Sequence, residues 1–213
     1  ISSGENLHWL AEFFTSYNKT LAQDHQISAM LGATLEKFDE LSVGASSRGF
    51  LSDATLTDLL QSGDADRGDN VSSGRFVNKL NSYLGRLNYT FKEKYLLTAS
   101  VRTDGTSRFS QQQKYAIFPS FALGWRLSEE PFMKSLDLFS DLKLRASYGQ
   151  SGNQAISNFE TLQTFIAGGR AVFGDGLVQG VEPARIPNPD LRWETTEEFD
   201  LGVDFSLLNG RVS

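Results

Sequence analysis

Leu191–Leu207 reads LRWETTEEFDLGVDFSL, and its apolar residues return at every second position. Leu191, Trp193, Phe199, Leu201, Val203, Phe205 and Leu207 share one parity, while Arg192, Glu194, Thr196, Glu198, Asp200, Gly202, Asp204 and Ser206 share the other. Successive side chains of an extended chain point to opposite faces, so the stretch describes a ribbon that is oily on one side and wet on the other. On a helix the same residues would spread around the axis.

The rule carries to the neighbouring segments. Leu142, Leu144, Ala146 and Tyr148 oppose Asp141, Lys143, Arg145 and Ser147, and Ile117, Phe121, Leu123, Trp125 and Leu127 oppose Ser120, Ala122, Gly124 and Arg126. Tyr95, Leu97, Ala99 and Val101 alternate with Thr98, Ser100, Arg102 and Asp104. Between Lys79 and Phe91 the oily parity holds Tyr83, Gly85, Leu87, Tyr89 and Phe91, broken only by Leu80 and Leu84. Ile27, Ala29, Leu31, Ala33 and Leu35 alternate with Gln26, Ser28, Gly32, Thr34 and Glu36, whereas Leu7 to Lys19 sets Leu10 and Phe14 against Trp9, Phe13 and Tyr17. The connections alternate in length: a tight turn at 21–24, an excursion at 39–78, a short turn at 92–94, loops at 105–114 and 128–140, a long loop at 150–190, then Asn209-Gly210, a strong hairpin signal. Short helices are predicted in two connections, Ala54 to Gln61 capped by Ser52-Asp53 and ended by Gly63, and Phe132 to Phe139 opened by Pro131.

Composition supports an all-β chain: 16 Phe, 6 Tyr, 3 Trp and 19 Gly within a hydrophobic share of only 39%. No stretch approaches the roughly 18 consecutive apolar residues of a spanning helix. A membrane barrel needs an apolar residue only at alternate positions, so a mean hydropathy of -0.30 is compatible with lipid contact. The net charge of -6, without a Lys/Arg run, argues against a nucleic-acid partner. The absence of Cys excludes disulfides and thiolate metal sites. The chain starts Ile1-Ser2-Ser3-Gly4 without Met or an apolar leader, so an export signal is expected upstream and both ends are expected to be cut.

Two all-β architectures fit alternation: an antiparallel transmembrane β-barrel segment of about eight meandering strands, incomplete as a barrel, and a soluble β-sandwich acting as an adhesion or glycan-binding module. Three features favour the barrel. The oily parity persists for about nine to eleven residues, the length of a tilted membrane strand. Aromatics gather near strand ends, with Tyr89, Phe91, Tyr95, Trp125 and Phe205 beside short turns and Tyr115, Tyr148 and Trp193 toward long loops, as in two interfacial girdles. The opposite face is rich in charge, as Arg86, Arg102, Arg126, Lys143, Arg145, Asp200 and Asp204 show, which suits a wet lumen. Pro119 inside a strand implies a bulge or a stretch beyond the membrane, and Glu197 on the oily parity places the start of the last strand past the lipid.

The run KYLLTASVRTDGTSRF at Lys94–Phe109 resembles the SusC/RagA-type TonB-dependent outer-membrane transporter family. Further similar motifs follow in order: Phe118-Pro119-Ser120, Gly124-Trp125-Arg126, SEEPF at 128–132, LKLRASYG at 142–149, Gly152-Asn153-Gln154 and NPDLRWETT at 188–196. Residues 1–78 resemble the family only in general pattern. The resemblance implies that residues 1–213 are part of a plugged barrel of the 22-stranded kind, roughly a third of its wall, without the plug, the TonB-contacting segment and the C-terminal strands. It further implies a bacterial outer-membrane location, of the kind found in Bacteroidetes. The implied activity is import of an oligosaccharide or peptide nutrient, captured by a SusD-like surface lipoprotein and energised through TonB.

Other motifs carry little chemistry. Asp64–Asn70 begins like a calcium loop, but Arg75 stands where a bidentate Glu is needed and the glycine is one place early. His8 and His25 lie near strand ends without a ligand cluster, and Gly149–Asn153 opens no helix that would cradle phosphate. Glu194, Glu198, Asp200 and Asp204 run in a continuous row, as a hydrophilic wall requires, rather than as a catalytic pair. No catalytic set, cofactor site or metal site is therefore assigned, and an enzyme is not expected. Phe159, Phe165 and Phe173 in the long loop are the candidate substrate contacts, through stacking.

Overall fold

The computed structural model describes residues 1–52, 58–64, 70–135 and 139–207. Its strands are β1 (Ser2–Leu21), β2 (His25–Ser46), β3 (Asn70–Phe91), β4 (Tyr95–Thr106), β5 (Tyr115–Arg126), β6 (Phe139–Asn153), β7 (Phe165–Phe173), β8 (Gly176–Pro183) and β9 (Glu194–Leu207). Seven of them form one sheet in the order β1-β2-β3-β4-β5-β6-β9, a meander in which β7 and β8 pair separately as a hairpin. The seven sheet strands are those predicted from alternation, and the strand after Asn209-Gly210 lies outside the described residues.

The chain divides into two compact units, Ile1–Leu10 with Glu36–Lys79, and Ala11–Leu35 with Leu80–Ser213. In the first, the backbone nitrogen of Ile1 donates to the Ala45 carbonyl at 2.8 Å. Asp39 accepts two bonds from Arg75, at 2.9 and 2.8 Å, and one from Lys37 at 2.8 Å. These donors, Arg75 foremost, hold its carboxyl far below the ordinary carboxylate range. His8 stacks on Phe38 with ring centroids 4.1 Å apart and meets Glu36 through Nε2 at 2.8 Å. The excursion predicted at 39–78 is thus strand at both ends. The first half of its predicted helix at 54–61 lies outside the described residues, and in the second half Leu60–Ser62 is a single 3-10 turn.

In the second unit the register aligns the oily residues in rows across the strands. Phe91, Tyr95, Trp125, Leu144 and Val203 form one row. Tyr89, Leu97, Leu123, Ala146 and Leu201 form the next, and Leu87, Ala99, Phe121, Tyr148 and Phe199 the third. These rows are open rather than packed: Leu123 is 60%, Phe199 66% and Leu201 74% exposed. The buried apolar residues among those described are only Phe109, Phe118 and Trp193. A soluble sandwich would bury its oily rows against a second sheet, so the exposed rows exclude that architecture for this unit.

Both short turns share one conformation, with Ala22 and Gln23 in the first and Lys92 and Glu93 in the second at positive φ between 49° and 63°. Two consecutive left-handed residues match the twist of the flanking strands, although none of the four is glycine. The predicted helix Phe132–Phe139 is shorter: a 3-10 turn at Leu127–Glu129 leads into a single α-turn, α1 (Pro131–Lys134), and Phe139 already begins β6.

Candidate functional site

At the turn end of the second unit the outermost oily row becomes aromatic. The rings of His25 and Phe91 lie 4.7 Å apart, with Phe91 to Tyr95 and Tyr95 to Trp125 each at 6.2 Å. Glu130, just before α1, ties this row down. Its Oε1 accepts from Tyr95 Oη at 2.7 Å and Trp125 Nε1 at 3.2 Å, and its Oε2 accepts from Lys94 Nζ at 3.0 Å. The Tyr95 hydroxyl, then Lys94 and Trp125, keep the Glu130 carboxyl below the ordinary range. Glu129 is lowered as well, mainly through Lys134 at 2.7 Å. Rings with an oily body and a hydrogen-bonded polar tip are what a membrane-water boundary requires.

The opposite parity is polar. Ser100 and Ser120 hydroxyls meet at 2.7 Å, and Thr98 donates to Asn88 at 2.9 Å. Arg102 reaches both Asp104 oxygens and the Ser82 hydroxyl, while Arg145 pairs with Asp204 at 2.8 Å. A recess of about 270 Å³ on this face is bordered by Thr98, Ser120, Ser147, Gln150, Glu198 and Asp200. The acidic row predicted along β9 is therefore part of a hydrogen-bonded wet surface. No cluster of three or more His, Asp or Glu suited to a metal occurs among the described residues.

At the loop end, Phe109, Phe118 and Trp193 pack as a small aromatic core, with Trp193 5.6 Å from each of the other two rings and Leu80, Ala116, Ile156 and Leu191 around them. Trp193 Nε1 donates to the Lys114 carbonyl at 3.2 Å, Ser110 Oγ to the Pro189 carbonyl at 2.8 Å, and Arg108 Nη1 to the Gln154 carbonyl at 3.2 Å. Here the sequence prediction is corrected: Trp193 is not a girdle residue. β9 begins at Glu194, and the indole turns away from the oily face into this core. Gly152 makes room for it, because a Cβ there would overlap the Phe118 ring.

The three loop phenylalanines do not converge. Phe159 lies in a turn at φ 66°, and Phe165 and Phe173 stand at opposite ends of β7, exposed by 61% and 72%. Alternation did not reveal the β7–β8 hairpin, because its register shifts between Ala167 and Arg170, across Gly168-Gly169.

A meandering antiparallel sheet with an exposed oily face, an aromatic boundary row and a wet opposite face is the wall of an outer-membrane β-barrel, here unclosed. Residues 4–213 match the family model described as TonB dependent receptor-like, beta-barrel. TonB-dependent receptor P26 of Formosa agariphila is 39% identical over 206 residues, covering 96% of this chain and 20% of that protein. TonB-dependent receptor SusC of Bacteroides thetaiotaomicron is 41% identical over 140 residues, 64% of this chain and 14% of that protein. A solved structure of the RagAB peptide transporter superposes with a TM-score of 0.86 at 25% identity, covering 99% of this chain and 23% of that chain. The chain belongs to the TonB-dependent receptor β-barrel family, of the SusC/RagA kind, and is an outer-membrane protein of a family of receptors rather than enzymes. It spans about a fifth of the length of the relatives it matches.

Proposed function

We propose that residues 1–213 form part of the barrel wall and cell-surface loops of an importer. It would carry an oligosaccharide or peptide nutrient across the outer membrane with a SusD-like surface lipoprotein, using energy delivered through TonB. The observation that carries this reading is the two-faced wall: oily rows open on one side, and on the other a hydrogen-bonded polar surface past which a hydrophilic solute can move. Likeness to the RagAB peptide transporter supports a peptide cargo, and likeness to the TonB-dependent receptor SusC supports energy delivered through TonB.

In this reading the loops at 39–78 and 150–190 meet substrate and lipoprotein. Phe165 and Phe173 on the β7–β8 hairpin, with Phe159 in the turn before it, offer rings to a peptide side chain or a sugar face. The test uses the intact transporter, with either loop shortened, and measures uptake together with lipoprotein co-purification. Loss of one or both is expected; unchanged uptake and unchanged association for both deletions would remove the assignment.

A further inference from the structure

The three oily rows differ in relief. The outer two carry large rings, Tyr95 and Trp125 on the turn side and Phe121, Tyr148 and Phe199 on the far side, while the middle row starts at Tyr89, is aliphatic from Leu97 onward and shrinks to a methyl at Ala146. The result is a trough of about 910 Å³, within the roughly 300–1,000 Å³ typical of sites for a small organic ligand. The hydroxyls at its rim are already engaged inside the protein, Tyr89 with His25 Nδ1 at 2.7 Å and Tyr95 with Glu130 at 2.7 Å, so the trough offers hydrocarbon and no unmet polar group.

We infer that this trough is a specific binding site for one acyl chain of a phospholipid in the membrane leaflet on the short-turn side. The occupant follows from continuity: the trough opens within the face already assigned to lipid, two residues along each strand from the aromatic boundary row. Its direction and length also fit. It runs across the strands from Tyr89 to Leu201, four strand spacings or roughly 19 Å at about 4.8 Å each. Half of a bilayer core is about 15 Å. Because barrel strands tilt by about 35–45°, a trough crossing them climbs through the leaflet at a similar inclination, as an acyl chain does. The Tyr95 and Trp125 rings wall the trough on the turn side and Tyr89 closes one end, which holds the chain in place, whereas a smooth oily surface would let lipids exchange freely.

The inference rests on the outer-membrane location and not on the import reading, so either can fail alone. The test is native mass spectrometry of the full-length transporter released from nanodiscs of palmitoyl-oleoyl phosphatidylethanolamine. Ala146→Trp fills the trough, and Ala99→Trp adds an indole to the same face in the third row. Heat-modifiable electrophoretic mobility confirms that each variant is folded. Retained phospholipid is expected on the unmodified protein and on A99W, with about tenfold lower occupancy on A146W. Equal retention on A146W, or none on the unmodified protein, overturns the inference. So does a lipid-free dimer that A146W dissociates, which would assign the trough to a second copy of the chain.

Discussion

Trp125 and Trp193 stand at opposite ends of the same sheet and make the same hydrogen bond, an indole N–H donated over 3.2 Å, yet they do different work. Trp125 lies in the outward aromatic row, with its N–H on the Glu130 carboxylate and its ring open to the surroundings. Trp193 is 8% exposed, with its N–H on the Lys114 carbonyl and its ring between Phe109 and Phe118. At the turn end the membrane supplies the apolar medium, so rings need only a polar tether. At the loop end there is water, and the protein must build its own apolar medium before it can fix its connections.

The largest effect expected from this contrast is therefore at Trp193. Trp193→Ala empties the centre of a three-ring core and should destabilise the loop end by about 3 kcal/mol or more. Hydrogen exchange by mass spectrometry on the intact transporter should show faster exchange at 105–116 and 154–164. Trp125→Ala leaves a space that lipid fills, and should cost about 1 kcal/mol. Equal costs for the two changes would break the comparison.

The difference also decides what was legible in the sequence. Alternation identified all seven sheet strands and both of their faces, because a period of two is enforced residue by residue wherever one side is oily. It misplaced Trp193 because parity continues through Leu191-Arg192-Trp193 although the strand has not yet begun, and no local signal marks that boundary. Phe118 gave no warning either: its burial depends on Gly152 and Trp193, both distant in sequence. Nothing local to Glu130 in the sequence reveals its role, since its donors Lys94 and Tyr95 come from the preceding hairpin. The candidate phenylalanines rest only on aromatic rings lying in a long loop, and the β7–β8 hairpin that carries two of them is hidden by Gly168-Gly169.

At the turn end, acid should act through Glu130. Its lowered pKa means that its contribution is complete above the unfolded value of about 4.3 and is lost as pH falls through the folded value. Protection of the 92–95 and 127–135 amides, corrected for intrinsic exchange, should thus decline below about pH 4. Glu130→Gln should show weaker protection at neutral pH and lose the acid step at 92–95, keeping at 127–135 only the part that Glu129 contributes through Lys134, and the Trp193 core should not respond. An identical acid step in E130Q would place its origin elsewhere.

A smaller gain is expected in the short turns. Lys92 and Glu93 occupy left-handed conformations that Asn adopts more readily, and the backbone carbonyl of Glu93 accepts from Arg126 at 3.4 Å whatever its side chain. Glu93→Asn should stabilise the hairpin by roughly 0.5–1 kcal/mol, read as a higher urea midpoint for unfolding of the full-length barrel in detergent.

The smallest effect belongs to the wet face. Arg145 and Asp204 meet at 2.8 Å, but their side chains are 55% and 46% exposed, so water screens the pair and Asp204→Asn should cost under about 1 kcal/mol, less in high salt. The same pair is open to attack from the backbone side. A Cβ at Gly202 would lie 2.9 Å from Arg145 Nη2, so Gly202→Ala must push the guanidinium aside. If the pair contributes little, the arginine moves and both variants unfold at nearly the same urea concentration as the parent. A loss well beyond 1 kcal/mol in both would mean that this charge is held as firmly as the aromatic core, and the wet face would then join the loop end as a region fixed by the protein's own contacts.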